Sequence, residues 1–402
     1  MRRLLFVDDE PRILAGLRRM LHGLRSEWEM VFAEGGAEAL ACCAFTPFDV
    51  VVSDARMPGM EGSELLQEIM RLYPDTVRIM LSGQCSRDSV LRSVGVAHQF
   101  LSKPCDPQSL KSTVSRVCGM RERFPDAAAR KVVSCVQKLP SQAVAYTELA
   151  DQVRSAEACI EGVANIIASD VAMYAKTVQM VSSGFFGTPQ RVMDATQPAR
   201  LLGLETIKAL LDSSAAFVAG ESAGYRDEDL RQLNDHSLAV AACAKQIAQT
   251  VTDDRTLISD AYLSGMLHDI GDLALLGSPF RRPLGPNTVE IDQASAAWQG
   301  IEPSSSEACP DAGGYLAALW GLPHPVVQAI GYHQAPSNCP DQTLGPLTAV
   351  HVAHAFLGQP NVLLISEDHL LDLEYLKRTN YAGRLAAWRE ICDAYRSQGV
   401  LQ

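Results

Sequence analysis

Apolar residues follow two regimes along the 402-residue chain. Up to about residue 122 they come in short continuous runs: Leu4-Leu5-Phe6-Val7, Met30-Val31-Phe32, Val50-Val51-Val52, Ile79-Met80-Leu81 and Phe100-Leu101. Runs of this length predict strands buried on both faces, as in a parallel sheet. Between them the period turns helical. Pro11 suits a first helical turn and is followed by Ile13, Leu14, Leu17 and Leu21. Residues 36–43, 63–72 (with Leu65, Leu66 and Ile69 on one face) and 86–94 predict three more helices. A fifth starts near Asp106-Pro107 and carries Leu110, Val114 and Val117. Five strands alternating with five helices predict a doubly wound parallel sheet.

From about residue 127 strand signals nearly vanish. Ile160, Val163, Ile166 and Ile167 make an apolar helical face, and Ser169-Asp170 caps the next helix, which carries Tyr174, Val178 and Val181. Leu139-Pro140-Ser141 interrupts two helical stretches, and Leu201-Leu202-Gly203-Leu204 opens another. Leu371 to Tyr395 is amphipathic, with Leu373, Leu376, Leu385, Trp388 and Ile391. It reads as a helical pair closing the core, with a homodimer face as its second use. An all-α domain is expected here. The polar, proline-broken stretch Arg121 to Asp126 marks the junction, giving domains at 1–122 and 123–402.

Composition narrows the function classes. Hydrophobic residues make up 47% and charged residues 20%, as in a globular protein. No apolar run reaches the roughly 18 residues of a membrane span, so no membrane role is expected. The apolar start at Leu4 is cut short by Asp8-Asp9-Glu10, too early for a signal peptide. Eleven cysteines without a C-x-x-C pair read as reduced thiols in a cytoplasmic protein. A net charge of −12 argues against nucleic acid as a partner.

The strand ends carry the chemistry. Asp8, Asp9, Asp54, Ser82 and Lys103 all fall at carboxyl ends, where ligands gather in such sheets. Three carboxylates repel one another unless a cation sits among them. Mg²⁺ suits, with carboxylates, waters and a phosphate oxygen as ligands. Lys103 offers a compact positive charge to that phosphate and Ser82 a hydroxyl. Such a site fits a carboxylate that accepts a phosphoryl group.

These residues resemble the receiver domain of two-component response regulators, with its flavodoxin-like fold. The resemblance covers residues 1 to about 122. It implies Asp54 as phosphoacceptor, Asp9 as direct Mg²⁺ ligand, Asp8 as water-mediated ligand and the Arg56 carbonyl as main-chain ligand. It further implies Ser82 as switch hydroxyl, Phe100 as aromatic switch and Lys103 as phosphate-binding residue. A sensor histidine kinase is the implied partner.

In the helical part, histidines are the notable polar residues: His236, His268 next to Asp269, His333, and His351 and His354 three apart on one helical face. A lone histidine on an apolar face is more often a core residue. An adjacent His-Asp pair with further histidines points to a transition metal. Residues near 130 to 335 resemble an HDOD domain, a relative of the HD-type metal-dependent phosphohydrolases. The matching stretches are Ser182 to Gly187, Leu201 to Leu204, His236-Ser237, Leu267 to Gly271 and Leu319-Trp320-Gly321-Leu322-Pro323. The HDOD class implies signalling through protein interaction rather than catalysis.

Four departures from active relatives stand out. Asp272 replaces a lysine, Cys309 a histidine, Gln334 follows His333, and His354 stands where an aspartate closes the metal set. His236, His268 and Asp269 remain, with His333 and His354 as further donors. They can hold a single transition metal, but the two-metal arrangement for phosphodiester hydrolysis is damaged. The expectation is a response regulator whose phosphorylation at Asp54 switches an HDOD output acting on an unknown protein partner. The rival is a receiver-gated phosphohydrolase or cyclic-dinucleotide phosphodiesterase.

Overall fold

The computed structural model describes residues 1–82, 93–103, 107–124, 127–183, 190–213, 216–220, 226–276, 308–341, 343–358 and 371–397. The N-terminal unit is a five-stranded parallel sheet: β1 Arg2–Val7, β2 Trp28–Ala33, β3 Val50–Asp54, β4 Val77–Ser82 and β5 Gln99–Ser102. The spatial order is β2-β1-β3-β4-β5. That is the doubly wound order expected from the alternating pattern. Period-two alternation sorts the strand residues onto two layers. Leu4, Phe6, Val50, Val52, Ile79 and Leu81 pack with Leu14 and Leu17 of α1 (Pro11–Met20). Leu5, Val7, Val51 and Met80 face Ala39 of α2 (Gly36–Phe45) and Leu65, Leu66 and Ile69 of α3 (Gly62–Leu72). The helix expected over 86–94 falls largely on residues 83–92, outside the described residues. The last helix of this unit, α4 (Pro107–Arg123), returns to the α1 layer through Leu110, Val114 and Val117.

The chain then enters α5 (Ala127–Ser134). Asp75 ties the two sides of this junction together. Its carboxylate accepts from Arg121 Nη2 at 2.6 Å and from Arg130 Nε at 3.2 Å.

The rest is mostly helical, with one departure. Leu139–Ser141 is a short strand, β6, not merely a break between helices. It pairs in parallel with β7 (Phe217–Ala219), nearly eighty residues further on. Around it come α6 (Ala143–Arg154), α7 (Ile160–Ala168), α8 (Val171–Ser182), α9 (Gln197–Leu202) and α10 (Leu204–Asp212). Asp170 caps α8 by accepting from the Met173 amide at 2.9 Å, as its sequence position suggests. The second half contains α11 (Asp227–Gln249), α12 (Arg255–Leu267), α13 (Ile270–Leu276), α14 (Ala308–Leu319), α15 (His324–Tyr332) and α16 (Pro346–Leu357). The C-terminal pair is α17 (Leu373–Arg378) and α18 (Leu385–Ser397); Leu376, Trp388 and Cys392 join the core formed by α11 and α16. Among the described residues no helix is long and apolar enough to cross a membrane.

The two units share a core: Val114, Val117 and Phe124 lie in one apolar cluster with Tyr174, Tyr315 and Trp320. Tyr315 and Phe124 are in ring contact, with centroids 5.7 Å apart.

Candidate phosphoacceptor site, metal centre and the contact between them

Parallel pairing brings the acidic residues to one edge. Val7 is in register with Ser53, and Asp54 with Leu81, so Asp8 and Asp54 emerge side by side. Asp8 is buried and Asp54 nearly so, while Asp9 is half-exposed. Lys103, just past β5, bridges the pair: its Nζ lies 2.6 Å from Asp8 Oδ2 and contacts Asp54 Oδ1 directly. Burial pulls the ammonium's pKa down, but hydrogen bonds to Asp54 and Asp8 outweigh it and hold Lys103 above its ordinary range. Backbone amides hold the remaining oxygens. Glu10 N donates to Asp8 Oδ1 at 3.0 Å and Arg56 N to Asp54 Oδ2 at 2.9 Å, which keeps the Arg56 carbonyl in the same loop. Asp8, Asp9 and Asp54 offer the hard oxygen donors that Mg²⁺ takes. Phe100 is buried on β5, with β4 between it and Asp54; the Ser82 side chain lies outside the described residues.

The histidines of the helical part also converge. His236 lies well inside α11. His268 ends α12, Asp269 follows it, His333 ends α15, and His354 is on α16. Gly265 makes the convergence possible, because a Cβ there would sit 2.5 Å from Ala241 Cα and force α11 and α12 apart. Donor atoms of His236, His268, Asp269 and His354 all lie within 4.8 Å of one another. The three imidazoles form a triangle with edges of 3.2, 3.2 and 3.3 Å between His236 Nε2, His268 Nε2 and His354 Nδ1. Asp269 Oδ2 is 3.1 Å from His268 Nε2 and 3.8 Å from His236 Nε2. Burial lowers His236 to about 4 and His333 to about 3, so both rings are neutral near pH 7. His268 differs: burial pulls it down, but Asp269 raises it more.

His351 and His354 share a helix and a spacing but not a role. His351 Nδ1 donates to the His333 carbonyl at 2.7 Å, and its Nε2 accepts from the Asp372 amide at 2.9 Å. It joins α15 to the C-terminal pair. Of the four departures, Asp272 lies in the first turn of α13 and Gln334 is exposed; the Cys309 side chain is outside the described residues.

A third set of residues joins the two units, and the sequence reading did not single it out. Strand β5 is the sheet edge beside the Lys103 pocket. The Phe100 amide donates to the carbonyl of Ser183, just past α8, at 2.9 Å. The buried Gln99 amide donates to the carbonyls of Ala318 and Leu319 at 3.2 and 2.8 Å, and its oxygen accepts from Arg116 at 3.2 Å. These carbonyls end α14, where Leu319-Trp320-Gly321-Leu322-Pro323 has a physical meaning. Gly321 takes φ +80°, its amide donates to Ala318 O, and Leu322 N donates to Ala317 O. That is a glycine-terminated helix end, which leaves the Leu319 carbonyl for another donor. The N-terminal unit supplies it. Below this contact, Arg78 on β4 is fully buried. Its guanidinium donates to the carbonyls of Val96 and Thr76 at 2.7 and 3.1 Å and also to that of Ser134. Lys176 on α8 is buried too, 2.6 Å from Gln179 Oε1 and over the Trp320 ring. Burial pushes it down to about 7. The one early sign was a charge, Arg78, inside an otherwise apolar strand.

An open parallel sheet with paired aspartates and a lysine at its carboxyl edge is the arrangement of a receiver domain. Comparison with known proteins agrees: residues 4–115 match the response regulator receiver domain, and residues 139–336 match the HDOD domain. The chain thus joins a receiver domain to an HDOD domain, the organisation of a response regulator. An uncharacterized protein of Treponema pallidum is 22% identical over 76% of this chain and 59% of its own length. The hydrogenase transcriptional regulatory protein HoxA of Cupriavidus necator is 36% identical over 27% of this chain and 23% of its own length. The chain therefore spans less than two thirds of the length of either relative. A solved signal receiver domain of an HD domain-containing protein from Pseudomonas fluorescens is 30% identical, covering 30% of this chain and 98% of that one, with a TM-score of 0.29. His354 lies beyond the matched HDOD segment.

Proposed function

We propose that this chain is a phosphorylation-operated response regulator in which Asp54 accepts a phosphoryl group and the docked HDOD domain is the output. Mg²⁺, held by Asp8, Asp9, Asp54 and the Arg56 carbonyl, neutralises the developing charge. Lys103 then turns from the bare carboxylates to a phosphoryl oxygen. Ser82 and Phe100 complete the switch in the receiver. The phosphodonor is a histidine kinase, and the released HDOD surface acts on a protein partner.

The observation that carries this reading is the continuity of β5. Lys103 touches Asp54 and Asp8, and four residues back on the same segment Gln99 holds the end of α14. A change at Lys103 therefore acts on the receiver–HDOD contact without an intermediary. Differential contact in the two states is what lets phosphorylation shift the equilibrium. About 1–3 kcal/mol is a typical coupling of this kind.

The test is labelling with a small phosphodonor and Mg²⁺, followed by hydrogen exchange. Wild type is expected to form one acyl phosphate and to lose protection at the α8 and α14 ends. Asp54→Ala should do neither. Labelling that survives Asp54→Ala, or exchange that changes only around Asp54, refutes the proposal.

A further inference from the structure

We propose that the HDOD domain binds one late first-row divalent transition-metal ion, of the cobalt-to-zinc series, at His236, His268, Asp269 and His354, with His333 as a fifth donor. This goes beyond the phosphorylation reading and does not depend on it.

The distances carry the first part. Donors about 2.0–2.1 Å from one tetrahedral ion lie about 3.3–3.4 Å from one another. The three imidazole edges measure 3.2, 3.2 and 3.3 Å, and the two to Asp269 Oδ2 measure 3.1 and 3.8 Å. Hydrogen bonding alone does not account for such a triangle. His268 Nδ1 donates to the Gly265 carbonyl at 2.8 Å, so its Nε2 is the nitrogen left to face the other donors. Among three nitrogens that each either donate or accept, at least one 3.2–3.3 Å edge is left without a proton. One cation at the centre satisfies all three.

His333 is the second observation. Its Nδ1 faces the Ile330 carbonyl at 2.9 Å, so its Nε2 carries a lone pair. That nitrogen is buried with no hydrogen-bond partner among the described residues, 3.7 Å from Asp269 Oδ1. A lone pair facing a carboxylate in a buried pocket is unfavourable, and a cation between them relieves it.

The donor chemistry sets the class. Imidazoles outnumber carboxylates, which favours the later metals over Mn²⁺ or Mg²⁺. His354, in place of the aspartate of active relatives, removes the carboxylate that would suit a harder ion. Five protein donors also leave little room for the open position a hydrolytic metal needs. The ion would act as a clamp joining α11, α12, α15 and α16.

The test uses the full chain, stripped with a chelator, held in excess Mg²⁺ to fill the oxygen-lined receiver site, and titrated separately with Zn²⁺, Ni²⁺, Co²⁺ and Mn²⁺. One equivalent is expected, with Zn²⁺ or Ni²⁺ bound about 100-fold tighter than Mn²⁺. Co²⁺ should give the visible absorption of a four- or five-coordinate nitrogen-rich site. His354→Ala should weaken Zn²⁺ binding at least tenfold, and His354→Asp should narrow the Zn²⁺-to-Mn²⁺ ratio. Binding absent in the folded wild-type protein, two equivalents, or Mn²⁺ bound as tightly as Zn²⁺ overturns the proposal. The Co²⁺ spectrum of the unaltered protein decides the case even if a histidine variant does not fold.

Discussion

Replacing Gln99 by leucine isolates the contact between the domains. The substitution keeps most of the volume and leaves the Asp54 pocket untouched. It removes donors to two carbonyls at the end of α14 and an acceptor for Arg116. The Ala318 carbonyl keeps its bond from Gly321, but the Leu319 carbonyl loses the donor that the helix end leaves it needing. A buried carbonyl without a partner costs about 1–3 kcal/mol, and each further hydrogen bond contributes about 0.5–1.5 kcal/mol. Together the docked state should weaken by about 2–3 kcal/mol, which is about 30- to 150-fold in the docking equilibrium. Hydrogen exchange reads this directly. Amides at the ends of α8 and α14 should exchange faster by that factor if undocking is the opening event. The Phe100 amide, bonded to the Ser183 carbonyl across the contact, should exchange with them, while α4 and the rest of β5 stay protected because the receiver core is intact. Unchanged exchange at α14, or a loss confined to β5, would show that Gln99 serves the receiver alone and that the reasoning is wrong.

Lys176→Met tests the buried ammonium. With the folded pKa lowered to about 7, the unfolded state takes up a proton first as pH falls from about 10.4, so wild-type stability declines between those values and levels off below 7. The variant should gain on wild type across that window, by up to about 4 kcal/mol at pH 7, and a pH-independent difference in melting temperature would refute it. Lys103→Met should leave the fold intact but slow acyl-phosphate formation at least about tenfold, because the charge facing Asp54 is gone; unchanged labelling kinetics would count against its role. His351→Ala removes bonds to the His333 carbonyl and from the Asp372 amide. It should loosen residues 371–397 by about 1–3 kcal/mol, seen as faster proteolysis there, and a resistant C-terminus would refute the link.

The receiver was legible because its strands are buried on both faces and therefore written as continuous apolar runs. The acidic strand ends were equally plain, since no core accepts Asp8 or Asp54 without a partner. Strands β6 and β7 were not legible. Each has three residues, too few for any period to show, and their pairing joins positions 139–141 to 217–219. Spacing placed His351 and His354 together but cannot say which ring nitrogen meets a carbonyl and which meets other imidazoles. The docking contact was hidden for a different reason. Its acceptors are backbone carbonyls of Ser183, Ala318 and Leu319, and a carbonyl has no signature in a sequence. Only Arg78 hinted at it, and its partner Ser134 lies 56 residues away.

The shortness of the junction sets a threshold for anything that competes with docking. Three residues separate α4 from α5, so the helical domain is presented to β5 by its own tether. Short tethers give effective concentrations in the millimolar range. A free protein present at about 1 μM and binding the same face equally well would thus occupy it about a thousandfold less often. Weakening the dock by about 1–3 kcal/mol recovers roughly 5- to 150-fold of that handicap. Phosphorylation alone then admits only competitors that bind β5 better than α14 does. Tether length becomes a gain setting, adjustable by insertion after Phe124, which leaves Asp54 and the Phe124–Tyr315 contact in place. Each doubling of a flexible tether shifts it by only about 0.6 kcal/mol.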